Sequence, residues 1–250
     1  MRDDAKSGDP RTVQLHISMP HACPYLPERD STNLFAETAQ LSPAAYEKWM
    51  NAGFRRSGTL IYKPICEKCA ECRPLRVPVN AFQLSRSQRR VWRRNQDVSV
   101  AIGAPEPTDE KWQVYAAYLT HQHNGKMDHE REDFERFLYE SPTSTLEMTF
   151  RVAEELLGVG LVDECPSCLS SVYFYFAPQA AKRSLGVFSA LCEIEECRRR
   201  GLAYWYAGYY IRDCRQMNYK AQYRPYELLG SDSVWRPAES ADTNRQSVDE

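Results

Sequence analysis

"SSVYFYFAPQAAKRSLGVFSALCEIEECRRRGLAYWYAGYY", Ser170–Tyr210, carries the reading of the fold. "SSVYFYF" is a strand-like run of β-branched and aromatic residues. "AKRSLGVFSALCEIEECRRRG" reads as a basic loop followed by a helix, with Gly201 in the position that closes such a helix. "AYWYAGYY" is a further strand. Strand, loop, helix, strand in that order predicts a parallel βαβ unit. The loop itself, Arg183, Ser184 and Gly186, has the parts of an anion site: free amides at a helix N-terminus, a cation and a glycine permitting close approach.

Upstream, "TDEKWQVYAAYLTHQH" places Trp112, Tyr115, Ala116 and Leu119 on one helical face, with Thr108 as cap. "REDFERFLYE" repeats the pattern. Two more strand-like runs follow, "TFRVA" and "LLGVGLV", so that three strands precede the helix as a largely antiparallel meander. "DCRQMNYKAQYRP" reads as a last helix, stopped before Pro225. The fold class is α+β. The element order is also that of acetyl-CoA-dependent N-acetyltransferases, but Phe188 stands where their phosphate loop carries a second small residue. The order therefore supports that fold more than that cofactor.

Residues 15–104 differ in composition, being rich in Cys, Pro and Arg, with a helix expected over Ser42–Ala52 and strands at "LRVPV" and "DVSVAI". The expected division is 1–14 disordered, 15–104 a Cys/Arg-rich unit, 105–230 an N-acetyltransferase-like unit and 231–250 a disordered tail. No apolar run approaches the length of a membrane span, and the N-terminus lacks a hydrophobic signal core, so a soluble cytoplasmic protein is expected.

The net charge of −2 hides a segregation. Residues 50–100 hold 11 Lys/Arg against 3 Asp/Glu, whereas residues 101–165 hold 5 against 14. Such a chain can offer one basic face to a polyanion. Seven tyrosines between Tyr204 and Tyr226, Tyr206 and Tyr209 among them, suit a half-apolar pocket with hydrogen-bonding rims. "CEKCAECR", Cys66–Arg73, sets three cysteines at C-x2-C-x2-C spacing. No thioredoxin-like βαβ pattern surrounds it, so a redox role is disfavoured, and a closed metal site needs a fourth ligand.

"CPYLPER", "GFRRSGTLIYKPICEKCAECRPLRVPV", "SRSQRRVWRRN", "RSLGVFSALCEIE" and "YAGYYIRDCRQMNYKAQYRPYELL" together resemble the aminoacyl-tRNA–protein transferases, in particular their bacterial leucyl branch. The resemblance covers roughly Leu15 to Leu229. It implies a transferase of the N-degron pathway that moves leucine from Leu-tRNA to the α-amine of proteins beginning with Asp or Glu, on an N-acetyltransferase-like unit used without CoA. An acidic N-terminal side chain needs a guanidinium, for which Arg55 and Arg56 are the candidates, with Ser57 as an auxiliary donor. The tRNA is expected along Arg86, Arg89, Arg90, Arg93, Arg94 and Arg183, with Ser184 and Gly186 of the same loop. Amine attack on an activated ester needs no side-chain nucleophile, and none is expected. The resemblance also places Cys23 beside Cys66, Cys69 and Cys72 as the fourth ligand of a Zn or iron–sulfur site, with His21 as the spare. "VDECPSCLSS" departs from the family and reads as a hairpin turn. Arginyl transfer by the same chemistry, a cysteine-knuckle nucleic-acid binder and a CoA-dependent acetyltransferase are the alternatives.

Overall fold

The antiparallel meander expected upstream of Ser184 is the centre of the computed structural model, which describes residues 13–123 and 130–238. The expectations for residues 1–12 and 239–250 lie outside the described residues.

The N-terminal part begins with short strands, β1 (His16–Ile17), β2 (His21–Ala22) and β3 (Asp30–Ser31), then β4 (Asn33–Glu37). Helix α1 (Pro43–Asn51) follows, with Ser42 capping it through Ala45 N–H as the sequence predicts. Strands β5 (Arg55–Ser57) and β6 (Leu60–Pro64) form a hairpin that completes a small sheet of order β1-β4-β6-β5.

The chain then enters the large sheet with β7 (Arg73–Pro78), crosses α2 (Arg86–Arg94) and adds β8 (Ser99–Gly103) at one edge. Next come α3 (Asp109–His123), then α4 (Arg131–Phe134), which continues as a π-helical turn to Tyr139. The meander is β9 (Thr145–Val152), β10 (Glu155–Glu164) and β11 (Cys168–Phe176). Helix α5 (Leu185–Arg199) leads to β12 (Tyr204–Tyr210), and the fold ends with α6 (Arg215–Asn218), β13 (Glu227–Leu229) and β14 (Trp235–Pro237). Among the described residues this sheet has eight strands, in the order β14-β13-β7-β12-β11-β10-β9-β8. The β11–β12 pairing is parallel and the other pairs are antiparallel. That is the α+β, N-acetyltransferase-like arrangement.

Strand β10 reads as an almost unbroken apolar run because both of its faces are covered. On one face Met148, Phe150, Leu185, Phe188 and Leu191 form the core under α5, with α2 packed outside it. On the other, Tyr115 and Leu119 of α3, Phe134 of α4 and Leu138 of the π-helical turn pack on Val159 and Leu161. Gly158 admits this packing: a Cβ there would lie 2.9 Å from the Phe174 ring and 3.0 Å from the Tyr175 carbonyl. No helix among the described residues is long and apolar enough to cross a membrane.

Three expectations are corrected. Strands β7 and β8 come from the stretch 15–104 but pair inside the large sheet, so the Cys/Arg-rich segment is stitched into it. The expected tail at 231 begins instead with β14, anchored by Trp235 standing edge-on to Tyr206 at 5.5 Å. The last helix is broken into α6 and a 3-10 turn over Tyr219–Gln222, whose Lys220 is buried and bonds the β12 backbone rather than continuing a helical face. The sequence also understated α2, whose Ser85/Gln88 capping box starts a helix at the basic run.

Candidate active site

Strands β11 and β12 pair only over Cys168–Ser170 and Tyr204–Tyr206, and then separate. The register of β12 against β7 breaks between Tyr206 and Gly208, a bulge that bends the strand outward. Gly208 sits at φ +87, where a side chain would be strained, and its missing Cβ leaves room for Lys220 Nζ. The opened wedge is a cavity of about 590 Å³, walled by β11, β12, the first turns of α5, the β5–β6 hairpin and the 217–223 segment. A cleft of this size with apolar walls and a few polar groups is the form of a small-molecule site.

One corner of the cavity is cationic. Arg55 is only 5 % exposed, and its guanidinium lies 5.3 and 5.7 Å from the rings of Tyr206 and Tyr209. Its Nη1 donates to the Met50 and Phe54 carbonyls, at 3.2 and 2.6 Å. Its Nε and Nη2 are buried with no partner among the described residues. Such an orphaned donor pair is costly unless a ligand satisfies it. Lys220 stands beside it, donating to the Tyr209 carbonyl at 2.7 Å. Burial, and then the Arg55 charge, lower its ammonium pKa to about 8.

Arg56 is differently placed. Its Nε and Nη2 clasp the Asp163 carboxylate, each at 2.7 Å, and Nη2 also reaches the Thr145 hydroxyl at 3.2 Å. Burial works against the Arg56 charge, but Asp163 outweighs it and holds the pKa above its ordinary value. The guanidinium is part of the wall, already neutralised. Ser57 lies on the β5–β6 hairpin opposite Leu60, away from the cavity lining. Tyr209 lines the cavity, with its hydroxyl spent on Gly53 O at 2.8 Å. Tyr206 is fully buried beneath Arg55, bonded to Asn51 Oδ1 at 2.7 Å.

The opposite wall is α5. Ser184 takes a left-handed backbone (φ 57, ψ 47), and it and Gly186 face the cavity from the start of the helix. Phe188 turns inward, packed on Trp92 and Phe150 at 5.5 and 6.0 Å, and so welds α5 to α2 and β9. Deeper in, Glu193 is 2 % exposed. It accepts from Trp205 Nε1 at 2.7 Å and from the Ser189 hydroxyl at 3.2 Å. Burial pushes its carboxyl pKa up to about 7, against the hydrogen bonds from Trp205, Ser189 and Ser171. Sequence reasoning missed Glu193. The available signal was an acid on the buried face of a helix otherwise formed by Leu185, Phe188 and Ile194.

The basic residues divide in the same way. Arg86, Arg89, Arg90 and Arg93 line one open surface hollow along α2. Arg94 instead donates to the Lys182 carbonyl at 2.7 Å, and Arg183 makes a two-pronged bond to Asp97 at 2.9 and 2.8 Å. These two brace the end of α2 against the start of α5.

The metal-site expectation does not fit the geometry. Among the described residues no group of three or more His, Cys, Asp or Glu is arranged to hold an ion. The Cys69 sulfur accepts from Arg29 at 3.1 Å, while Cys66 points to the Thr32 carbonyl at 3.8 Å. Cys72 feels Cys66, Cys23 and Cys69 as neighbours, but burial is the larger cause that pushes its thiol up to about 12. Cys165 and Cys168 form the expected hairpin turn, joined by a 3.0 Å backbone bond.

Comparison with known proteins adds to this geometry. The family model described as "Arginine-tRNA-protein transferase, N terminus" matches residues 21–90, and its C-terminus counterpart matches residues 110–230. An aspartate/glutamate leucyltransferase of Stutzerimonas stutzeri (strain A1501) is 40% identical over 220 residues, covering 87% of this chain and 94% of that protein. One from Marinobacter nauticus is 39% identical over 229 residues, covering 90% and 96%. Among solved structures, FemX aligns over 80% of each chain at 9% identity with a TM-score of 0.45. With both family models matched in order and relatives aligned along nearly its whole length, the chain belongs to the arginine-tRNA-protein transferase family, the enzymes that pass an amino acid from tRNA to a protein.

Proposed function

We propose that the protein transfers leucine from Leu-tRNA to the α-amine of proteins whose first residue is Asp or Glu, in the cytoplasm and as a step of the N-degron pathway. The observation that carries this reading is Arg55, a buried guanidinium with two unpaired nitrogens at the cavity wall. A carboxylate of the incoming side chain would satisfy both nitrogens at once. Lys220 adds a second cation to the same corner. Val172, Phe174, Phe176, Val187 and Ala190 supply apolar wall for a leucyl side chain, and the leucyltransferase relatives point to the same acyl group. The open arginine face of α2 suits the phosphates of the acceptor arm.

In the reaction, the neutral α-amine attacks the ester carbonyl, the new C–N bond forms and the C–O bond to the ribose breaks. The amine proton leaves and the ribose oxygen regains one. An α-amine pKa of about 7.7–8.0 leaves a useful neutral fraction at pH 7, so holding the two substrates together supplies much of the rate.

The test is transfer of labelled leucine from Leu-tRNA to Asp- and Glu-starting peptides, with Ala-starting peptide, Arg-tRNA and acetyl-CoA as controls. Transfer to Asp and Glu peptides alone is expected. Preferential use of Arg-tRNA or acetyl-CoA, or indifference to the first residue, would sink the reading.

A further inference from the structure

Glu193 has no role in the reading above, yet it is the one carboxylate on the cavity wall among the described residues. It lies on the face of α5 that also presents Gly186 and Ser189, seven residues beyond Gly186 and so about 10 Å further in. Both of its oxygens are held, and each donor among the described residues is neutral: Trp205 Nε1, Ser189 Oγ and, at 3.5 Å, Ser171 Oγ. The titratable groups that sense it are phenols and thiols, namely Tyr219, Tyr223, Cys192 and Cys197. No cation pairs with it among the described residues. Fully buried carboxylates are rare without an ionic partner, because desolvation of the charge is expensive. What this one lacks is a cation, and the cavity is where a cation can arrive.

The cavity has two electrical ends. The Arg55–Lys220 corner is suited to an acid, and the Glu193 wall to a cation. The arginine hollow on α2 is braced to the start of α5 through Arg94 and Arg183. A tRNA end laid along those arginines would reach the start of α5, the helix that carries Gly186, Ser189 and Glu193 on the cavity wall. The acyl group of an aminoacyl ester carries its own cation, the α-ammonium. We infer that Glu193 binds the α-ammonium of the amino acid esterified to the tRNA, so that the site accepts acyl groups with a free amine and rejects N-acylated ones. The inference rests on the tRNA-dependent reading given above. It involves no covalent step: the ammonium donates hydrogen bonds to a carboxylate already fixed in place by Trp205 and Ser189.

The experiment measures the affinities of Leu-tRNA, N-acetyl-Leu-tRNA, Arg-tRNA and uncharged tRNA for the full-length wild type and for Glu193→Gln. The wild type should bind Leu-tRNA at least tenfold more tightly than N-acetyl-Leu-tRNA, and Glu193→Gln should narrow that preference to within twofold. Equal affinity of the wild type for the two charged species overturns the inference without any variant. It is overturned too if Glu193→Gln loses turnover but keeps the preference, since the carboxylate then acts on the fold or on the incoming amine. Glu193-dependent preference for Arg-tRNA over Leu-tRNA assigns the carboxylate to a side chain and also overturns it. Leucine transfer to an Asp-starting peptide, run alongside, reports on the parent reading. Absent transfer with amine discrimination intact condemns the parent reading alone; intact transfer without discrimination condemns this inference alone.

Discussion

Replacing Arg55 and Arg56 one at a time should separate two adjacent arginines that look alike in sequence. The Arg56–Asp163 pair is sealed, with side chains 1 % and 0 % exposed. Arg56→Met would leave Asp163 with the Thr145 hydroxyl at 2.7 Å as its remaining side-chain donor. Removing one partner of a buried pair costs about 3–5 kcal/mol, which in a chain of this size lowers Tm by roughly 6–20 °C. Exchanging both partners for apolar residues, Arg56→Met with Asp163→Leu, should recover most of that loss. Arg55→Met removes two bonds to carbonyls but also an unsatisfied buried charge, so stability should move by only about 1 kcal/mol. Its effect should fall on the KM for an Asp-starting peptide. A charge-assisted bond is worth about 1.5–3 kcal/mol, which corresponds to a rise of roughly 10- to 100-fold. Urea unfolding followed by circular dichroism and steady-state transfer at saturating Leu-tRNA read the two effects separately. An Arg56→Met protein with unchanged midpoint and raised peptide KM would refute the assignment, as would an Arg55→Met protein that is destabilised with KM unmoved.

Glu193 gives a pH signature. Its carboxyl stands near 7 in the fold against an ordinary 4.5, so between those values the folded protein binds more protons than the unfolded chain. Stability should therefore fall as pH rises from about 4.5 to 7, by roughly 3 kcal/mol in all, and Glu193→Gln should remove that slope. Parallel midpoints for both proteins at pH 5 and pH 8 would contradict this. Replacing Arg89, Arg90 and Arg93 together by Ala should reduce the slope of log affinity for tRNA against log salt by about 2–3, with little change in peptide KM; an unaltered slope would remove α2 from the tRNA surface. Gly158→Ala should cost about 1–3 kcal/mol, because the new methyl meets the Phe174 ring and the Tyr175 carbonyl. An unchanged urea midpoint would show that β10 and β11 can shift apart freely.

The meander, the βαβ crossover and the caps at Ser42 and Thr108 were legible because each rests on local patterns: alternation, helical periodicity and residues that fit one backbone state. The placement of β7 between β12 and β13 was not legible, since nothing local in "LRVPV" names its distant partners. Among the candidate site residues, Arg55 was singled out by chemical type. Its neighbour Arg56 could be told apart only once Asp163, 107 residues away, was seen beside it. The four cysteines show the same limit from the other side. Their spacing permitted a shared ion, while Arg29 and Thr32, brought in by the fold, engage Cys69 and Cys66 individually. Glu193 went unread because a single acid in a helix resembles any surface acid until its burial is known.

The place of β7 in the sheet has a consequence for how the protein is made. Its two neighbours, β12 and β13, are translated more than 120 residues after it. While the ribosome works through that interval, β7 has both edges unpaired, and the wedge between β11 and β12 cannot close around anything. The cavity therefore comes into being only once β12 and the 217–223 segment have been made, and a chain cut short before Tyr204 leaves β7 with both edges unpaired.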